Sequence, residues 1–229
     1  MPERLKFSAE DPFRGRRPTS HERMTGLPWD ASYCNGPAPW DIARPQPAIV
    51  RLASQGVFAG DLLDAGCGTG ENALHIASLG QSHPEVSILG IDVAETALAM
   101  AREKARNRGI EIEFAMADAL DLKRLGRRFH TVLDCALFHT FNAEEQPAYV
   151  ESLASVIDSD GTLYVLCFSD AGPDTGPHPV SEEQLRTAFE RDEGWEIAAL
   201  QPERIETRFH RGASAWLATV KRTSASKAQ

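Results

Sequence analysis

Nine residues from Leu62 to Gly70, LLDAGCGTG, combine residue types and spacing suited to holding a small ligand. An apolar run ends in the acid Asp64 and breaks into Gly66, Gly68 and Gly70, and a helical pattern, NALHIASLG, follows. A strand, a tight turn and a helix N-terminus in that order let backbone approach a ligand closely. A dinucleotide fingerprint would place glycine or alanine five positions after Gly66, where the chain has Glu71. A glutamate there suits a ligand without phosphates, because no pyrophosphate then needs the positive helix end. Asp92 follows a second apolar run, and a carboxylate at such a strand end accepts two hydrogen bonds from a diol. Two plainer roles stay open: Asp92 as a helix cap with Glu95, and Asp64 as a cap on its own turn. Asp118 stands after a third such run, between Ala117 and Ala119. Beyond a fourth, FHTVLDC, come Asp134 at its end and His139, a residue able to take a proton near neutral pH. His139 equally fits a residue that only caps or packs its loop.

Positioning these residues requires a repeated strand–helix order. Leu62–Ala65 reads as the first strand and 72–79 as its helix; 87–91 is the second strand, before a helix whose Ala94, Leu98, Ala101 and Ala105 form a stripe that Gly109 ends. Residues 111–115 and 129–135 are the third and fourth strands. Asn142-x-x-Glu145 opens a helix with Tyr149, Leu153 and Val156 inward, and GTLYVLCF is the fifth strand. Ser181-x-x-Gln184 opens a further helix carrying Leu185, Ala188 and Phe189. WEIAALQ and SAWLATVKR are two strands with only the polar PERIETRFHRGA between them, which predicts an antiparallel pair closing a mainly parallel sheet. Upstream, RPQPAIVRLASQG reads as a helix. The stretch 21–40 is aromatic and rich in proline and glycine, with Trp29 and Tyr33 four apart after Pro28. The first twenty residues, with Arg14, Arg16 and Arg17, read as a poorly ordered, solvated tail. The expected organisation is a tail and aromatic lid over 1–40, one domain over 41–222 and a disordered tail over 223–229.

Composition narrows the function. At 229 residues and 42% hydrophobic content the chain supports one substantial α/β core. A net charge of −9 and no lysine–arginine stripe argue against a nucleic-acid partner. Cys34, Cys67, Cys135 and Cys167 occur singly, without metal-ligand or disulfide spacing, and read as small apolar fillers in a reducing compartment. The N-terminus lacks the apolar core of a signal peptide and no run reaches membrane-spanning length. The expectation is a cytoplasmic protein, a monomer or homodimer, with no metal, membrane or nucleic-acid partner.

The glycine motif, the acids after it and the order β-α repeated to a terminal β-β resemble the class I S-adenosylmethionine-dependent methyltransferases over roughly residues 44–222. The resemblance implies a Rossmann-like, seven-stranded, mostly parallel sheet with an antiparallel terminal pair, helices on both faces and an N-terminal lid. It implies S-adenosylmethionine as methyl donor and S-adenosylhomocysteine as product. Asp64 and Gly66 then border the methionine portion, with Ala65 and Gly68 in the same donor site; Asp92 takes the ribose, Val93 packs on the adenine, and Asp118 with Ala119 meets the adenine edge. PAPWDIARPQPA resembles the Pro-Trp element of thiopurine methyltransferase-like enzymes and of bacterial enzymes that methylate heterocyclic toxins and quinolones. That likeness places Trp40 near the methionine arm and Arg44 at its carboxylate; Trp40 fits a core anchor as well.

Methyl transfer is an in-line displacement, so the protein must mainly align the acceptor and exclude water. His139 is the candidate base and Asp134 faces the sulfonium or the acceptor. Met24, Trp29, Tyr33, Phe138, Phe141 and Phe168 are candidates for an apolar wall around a flat aromatic acceptor, and Ser169, Asp170 and His178 for polar contacts with it. LDCALF stands where amino-methylating nucleic-acid and protein-glutamine enzymes carry an Asn-Pro-Pro-Tyr-type motif. The expected function is methyl transfer to the O, N or S of a small aromatic or heterocyclic molecule. The alternatives are a non-catalytic S-adenosylmethionine-binding sensor and, against the glycine spacing, a nicotinamide-dependent oxidoreductase.

Overall fold

The computed structural model describes residues 11–80, 87–190, 194–209 and 212–223. The expected tail residues 1–10 and 224–229 lie outside them. Seven strands, β1 (Leu62–Ala65), β2 (Ile88–Asp92), β3 (Glu113–Met116), β4 (Phe129–Cys135), β5 (Ile157–Phe168), β6 (Trp195–Ile205) and β7 (Ala213–Arg222), form one sheet in the order β3-β2-β1-β4-β5-β7-β6. β7 runs antiparallel to both β5 and β6, and every other pairing is parallel. The expected terminal pair forms, with β7 inserted between β5 and β6.

Side chains alternate between the two faces as strand geometry requires. Leu63, Val132, Leu163 and Val165 pack on one face with Tyr149, Leu153, Leu185 and Phe189 from α6 (Glu145–Ala154) and α7 (Glu182–Glu190). Leu62, Leu133, Tyr164 and Leu166 pack on the other with α3 (Pro47–Ser54), α4 (Glu71–Gly80) and α5 (Glu95–Arg108). Both predicted capping boxes close: Asn142 and Glu145 exchange hydrogen bonds at 2.9 and 3.2 Å, Ser181 and Gln184 at 3.1 and 2.7 Å.

The N-terminal segment departs from expectation. Residues 11–20 are not a solvated tail as far as Arg16 is concerned. Its guanidinium pairs with Glu22, which is fully buried and also accepts from Thr19 N at 2.8 Å and Trp29 N at 3.0 Å. Thr19 and Glu22 form a capping box on α1 (Ser20–Thr25). After α2 (Ala31–Cys34) the chain returns toward the sheet. Ala94 cannot cap α5 with a side chain, and Asp30 does so from across the chain, accepting from Thr96 N at 2.7 Å and Thr96 Oγ1 at 3.0 Å.

Candidate functional site

The turn after β1 is built on left-handed backbone. Gly66, Gly68 and Gly70 have φ of +73°, +53° and +79°. At Gly70 a Cβ would also stand 2.8 Å from Phe114 Cζ, so both conformation and space demand glycine there. The turn is tied to β2: Cys67 N donates to Ile91 O at 2.8 Å and Gly68 N to Asp92 Oδ2 at 2.8 Å. Asp92 Oδ1 accepts from Ala94 N at 2.9 Å. Burial pushes the Asp92 carboxyl up, against the pull of the Ala94, Gly68 and Val93 N–H groups. Glu95 pairs with Arg102 at 2.6 Å, so no Asp92–Glu95 capping box forms. At the N-terminus of α4, Glu71 is buried and paired with Lys104 and Arg108, each at 2.9 Å. That helix end is already complemented by an acid and two cations and offers nothing to a pyrophosphate.

A cavity opens over this turn beyond the C-terminal strand ends, where ligands bind in open α/β sheets. Gly66, Gly68, Asp92, Val93, Asp118 and Ala119 line it. Asp118 also accepts from Leu120 N at 2.9 Å, capping the short helix that follows; nearby Asp121 is not part of the wall. Trp40, Arg44, Tyr33 and Trp29 line the cavity from upstream. Trp40 Nε1 donates to the Tyr33 hydroxyl at 2.7 Å, and its ring meets Trp29 edge-on at 5.3 Å. Arg44 reaches the cavity but pairs with Glu206. The remaining wall holds His139, whose ring lies 4.5 Å from that of Phe168, with His21, His178 and Phe141. Burial depresses His139 to about 3, and His178 and His21 push it the same way.

Seven expected site residues stand off this wall. Ala65 is fully buried in the core, and Asp64 is buried with neither oxygen hydrogen-bonded. Burial, with the Asp92 and Asp134 carboxyls adding to it, raises Asp64 to about 7. Asp134 turns inward: Oδ1 accepts from Leu137 N at 3.0 Å and Phe138 N at 3.1 Å, and the Tyr149 hydroxyl lies near its carboxyl. Burial raises it, also to about 7. Phe138 is a core residue packed against Tyr149 and Phe189, because the hydrogen bonds to Asp134 turn its backbone into the sheet. Met24 is 63% exposed and borders a second cavity outside the first. Among the polar candidates after β5 only His178 lines the cavity; Ser169 bonds to Ala171 O and Asp170 is exposed. Sequence reasoning missed His21. It lies in a segment taken for part of a lid, and its role depends on stacking with Trp29 at 4.3 Å, which no local pattern announces.

Comparison with known proteins agrees with this architecture. A methyltransferase domain family matches residues 62–161. A 2-heptyl-1-hydroxyquinolin-4(1H)-one methyltransferase of Mycobacteroides abscessus is 34% identical over 90% of this chain and 83% of its own length. Thiocyanate methyltransferase 1 of Brassica oleracea is 29% identical over 65% of each chain. A solved structure concerned with the conversion of a disulfide bond into a thioacetal group during echinomycin biosynthesis superposes with a TM-score of 0.75 at 34% identity, covering 85% of this chain and 91% of that one. No helix among the described residues is long and apolar enough to cross a membrane. With its glycine turn, its acids at successive strand ends and its inserted antiparallel strand, the chain belongs to the class I S-adenosylmethionine-dependent methyltransferases.

Proposed function

We propose that this methyltransferase acts on a small, flat aromatic or heterocyclic molecule that lies between the glycine-turn side of the cavity and the wall of Trp29, His139 and Phe168. The observation that carries the reading is one cavity with two chemically different sides: backbone and carboxylates on one, aromatic and imidazole rings on the other. The residues fit the donor. Gly66 and Gly68 bring bare backbone to the methionine arm under Trp40. Asp92, already organised by two N–H groups, keeps lone pairs for the ribose diol, and Val93, Asp118 and Ala119 take the adenine. Arg44 meets the donor carboxylate by exchanging its Glu206 partner. Asp64 and Asp134 act one layer behind, where buried carboxyls favour a cationic ligand in front of them. The bound donor supplies an electrophilic methyl group. The chain's own residues then align the acceptor, keep water out and, at His139, take its proton.

The acid-poor, ring-rich acceptor wall favours small aromatics over phosphodiesters, and the relatives named for a hydroxyquinolinone and for thiocyanate point to small acceptors as well. Four free cysteines suit a cytoplasmic enzyme, as a monomer or homodimer. The test is a panel of phenols, hydroxyquinolones, heteroaromatic thiols and amines with isotope-labelled donor, read by mass spectrometry. Transfer to at least one flat aromatic is expected; a panel without product, alongside normal donor binding, refutes the acceptor class. Calorimetry of Asp92→Ala tests the donor side. Loss of the ribose contacts and of the acid that organises the turn should weaken donor binding by about 3 kcal/mol, roughly a hundredfold. Unchanged affinity would remove Asp92 from the site.

A further inference from the structure

Two cavities meet at one wall, and three histidines form it. The inner cavity contains the glycine turn; the outer one, about 360 Å³, is bordered by the polar side chains of Asn142, Gln146 and Gln184. His21, His139 and His178 line both. They come from α1, from the turn after β4 and from the loop after β5, so the fold converges three separate segments on this partition. His21 stacks on Trp29 at 4.3 Å and meets the His178 ring edge-on at 5.5 Å. Nδ1 of His139 and Nδ1 of His21 are buried without a hydrogen-bond partner. Buried polar atoms left unpaired in a ligand-free chain point to a partner that arrives with the ligand. His178 holds φ at +52°, a left-handed conformation that histidine adopts more readily than most residues.

The charge on this wall restricts what it can bind. Among the described residues Arg44 is the only lysine or arginine on the inner cavity, already paired with Glu206, and the outer cavity has none. An acceptor arriving as a preformed anion therefore meets no unpaired protein cation, only the donor's sulfonium, whereas an X–H acid also meets imidazole nitrogens able to accept its hydrogen bond.

Resting on the proposed aromatic-acceptor reading, we propose that His21, His139 and His178 bind the acceptor as its protonated X–H acid and carry the proton outward to the second cavity. His139, beside Phe168, takes the proton from the acceptor heteroatom. The pair of electrons left on that heteroatom forms the new bond to the methyl group, while the pair in the donor's sulfur–methyl bond returns to sulfur. His178 and His21 pass the proton to water, and one proton leaves for each methyl transferred. The outer cavity has room for several waters at about 10–15 Å³ each. The groups facing His139 are His21 from α1 and His178 from the loop after β5; His21 is faced in turn by Glu22, which Arg16 neutralises. Burial lowers both His21 and His139, so both are free bases at neutral pH.

The experiment compares protonated acids with obligate anions on the full chain at saturating donor. 2-Heptyl-1-hydroxyquinolin-4(1H)-one and a set of phenols form one arm, sodium thiocyanate and iodide the other. For the acids, kcat/KM should fall as pH rises through each acceptor's own pKa, and the anions should react at least a hundredfold more slowly. His21→Ala and His178→Gly, which remove members of the proton path, should lower kcat ten- to a hundredfold with donor affinity and melting unchanged, and added imidazole should restore part of the loss. A rate that rises through the acceptor's pKa, thiocyanate or iodide methylated as readily as the acids, or variants with full activity would overturn the proposal. The wild-type pH profile needs no variant to fold. Aromatic products with a rising profile would sink the histidine wall and leave the acceptor class standing. No aromatic product at all would sink both.

Discussion

The residue with the least local support is Asp64. It is buried, with neither oxygen in a well-formed hydrogen bond, and is raised to about 7 by burial and by two neighbouring carboxyls against a weak pull from the Ala73 N–H. A raised carboxyl means that the folded chain holds its proton more tightly than the unfolded chain does. Its stabilising contribution is therefore complete below the unfolded pKa near 4 and is lost as pH rises through about 7. The same sign applies to Asp134 over the same window. Asp64→Asn should accordingly make the ligand-free protein more stable at pH 8, by up to roughly 4 kcal/mol, and flatten the fall in stability between pH 4 and 7. Thermal melts across that range measure both effects. A less stable variant at pH 8 would show that the carboxylate has a partner when ionised. If Asp64 also supplies field to a cationic donor, the more stable variant binds S-adenosylmethionine more weakly, the usual opposition between stability and a strained site.

At the scale of elements, what the sequence revealed and what it hid divide along a physical line. β1 and β4 were legible to the residue because each is a short, mainly apolar run that ends at an acid and a turn. β5 was read too short: Ile157–Asp160 looks like a polar turn, and only its pairing with Phe129 across a bulge makes it strand. β6 was likewise cut before Pro202, which an edge strand tolerates. The contacts that hold α1 and α2 were invisible, because Arg16–Glu22 needs the segment to fold over itself and Asp30 caps a helix 66 positions later. Those contacts carry a prediction. Asp30→Ala removes a side-chain cap on α5 and one tether to the N-terminal segment, costing about 1 kcal/mol. Glu22→Gln leaves Arg16 without its charge partner and should cost on the order of 3 kcal/mol locally. Both should speed proteolysis ahead of Trp40 before global unfolding, Glu22→Gln more. Equal cutting in variants and wild type would mean that neither contact fastens the segment.

The whole molecule divides into a core that needs nothing before Ala48 and a roof that the site needs. Among the described residues the two sheet-face clusters contain none earlier than Ala48, while Tyr33 and Ala38 pack in a separate small cluster with Ala94 and Ala97. The glycine turn and the strand-end acids Asp92 and Asp118 were legible as cavity residues because they belong to the core, where strand ends fix them. The wall proposed for the acceptor was only half legible because the roof assembles from α1, the aromatic segment and a loop after β5. A chain lacking residues 1–40 should therefore keep both faces of the sheet and melt cooperatively. It should lose Tyr33 over Gly68, Trp40 over the turn and the Asp30 cap. In the full chain, S-adenosylhomocysteine at a hundred times its Kd should add about 2.7 kcal/mol, which for a domain of this size raises Tm by roughly 5–10 °C. In the truncated chain the melt should persist and the shift should fall to about 2 °C or less, because the donor is left with one wall. A full shift in the truncated chain would place the donor entirely on the core and confine the roof to the acceptor; a truncated chain without a cooperative melt would make residues 11–40 part of the fold itself.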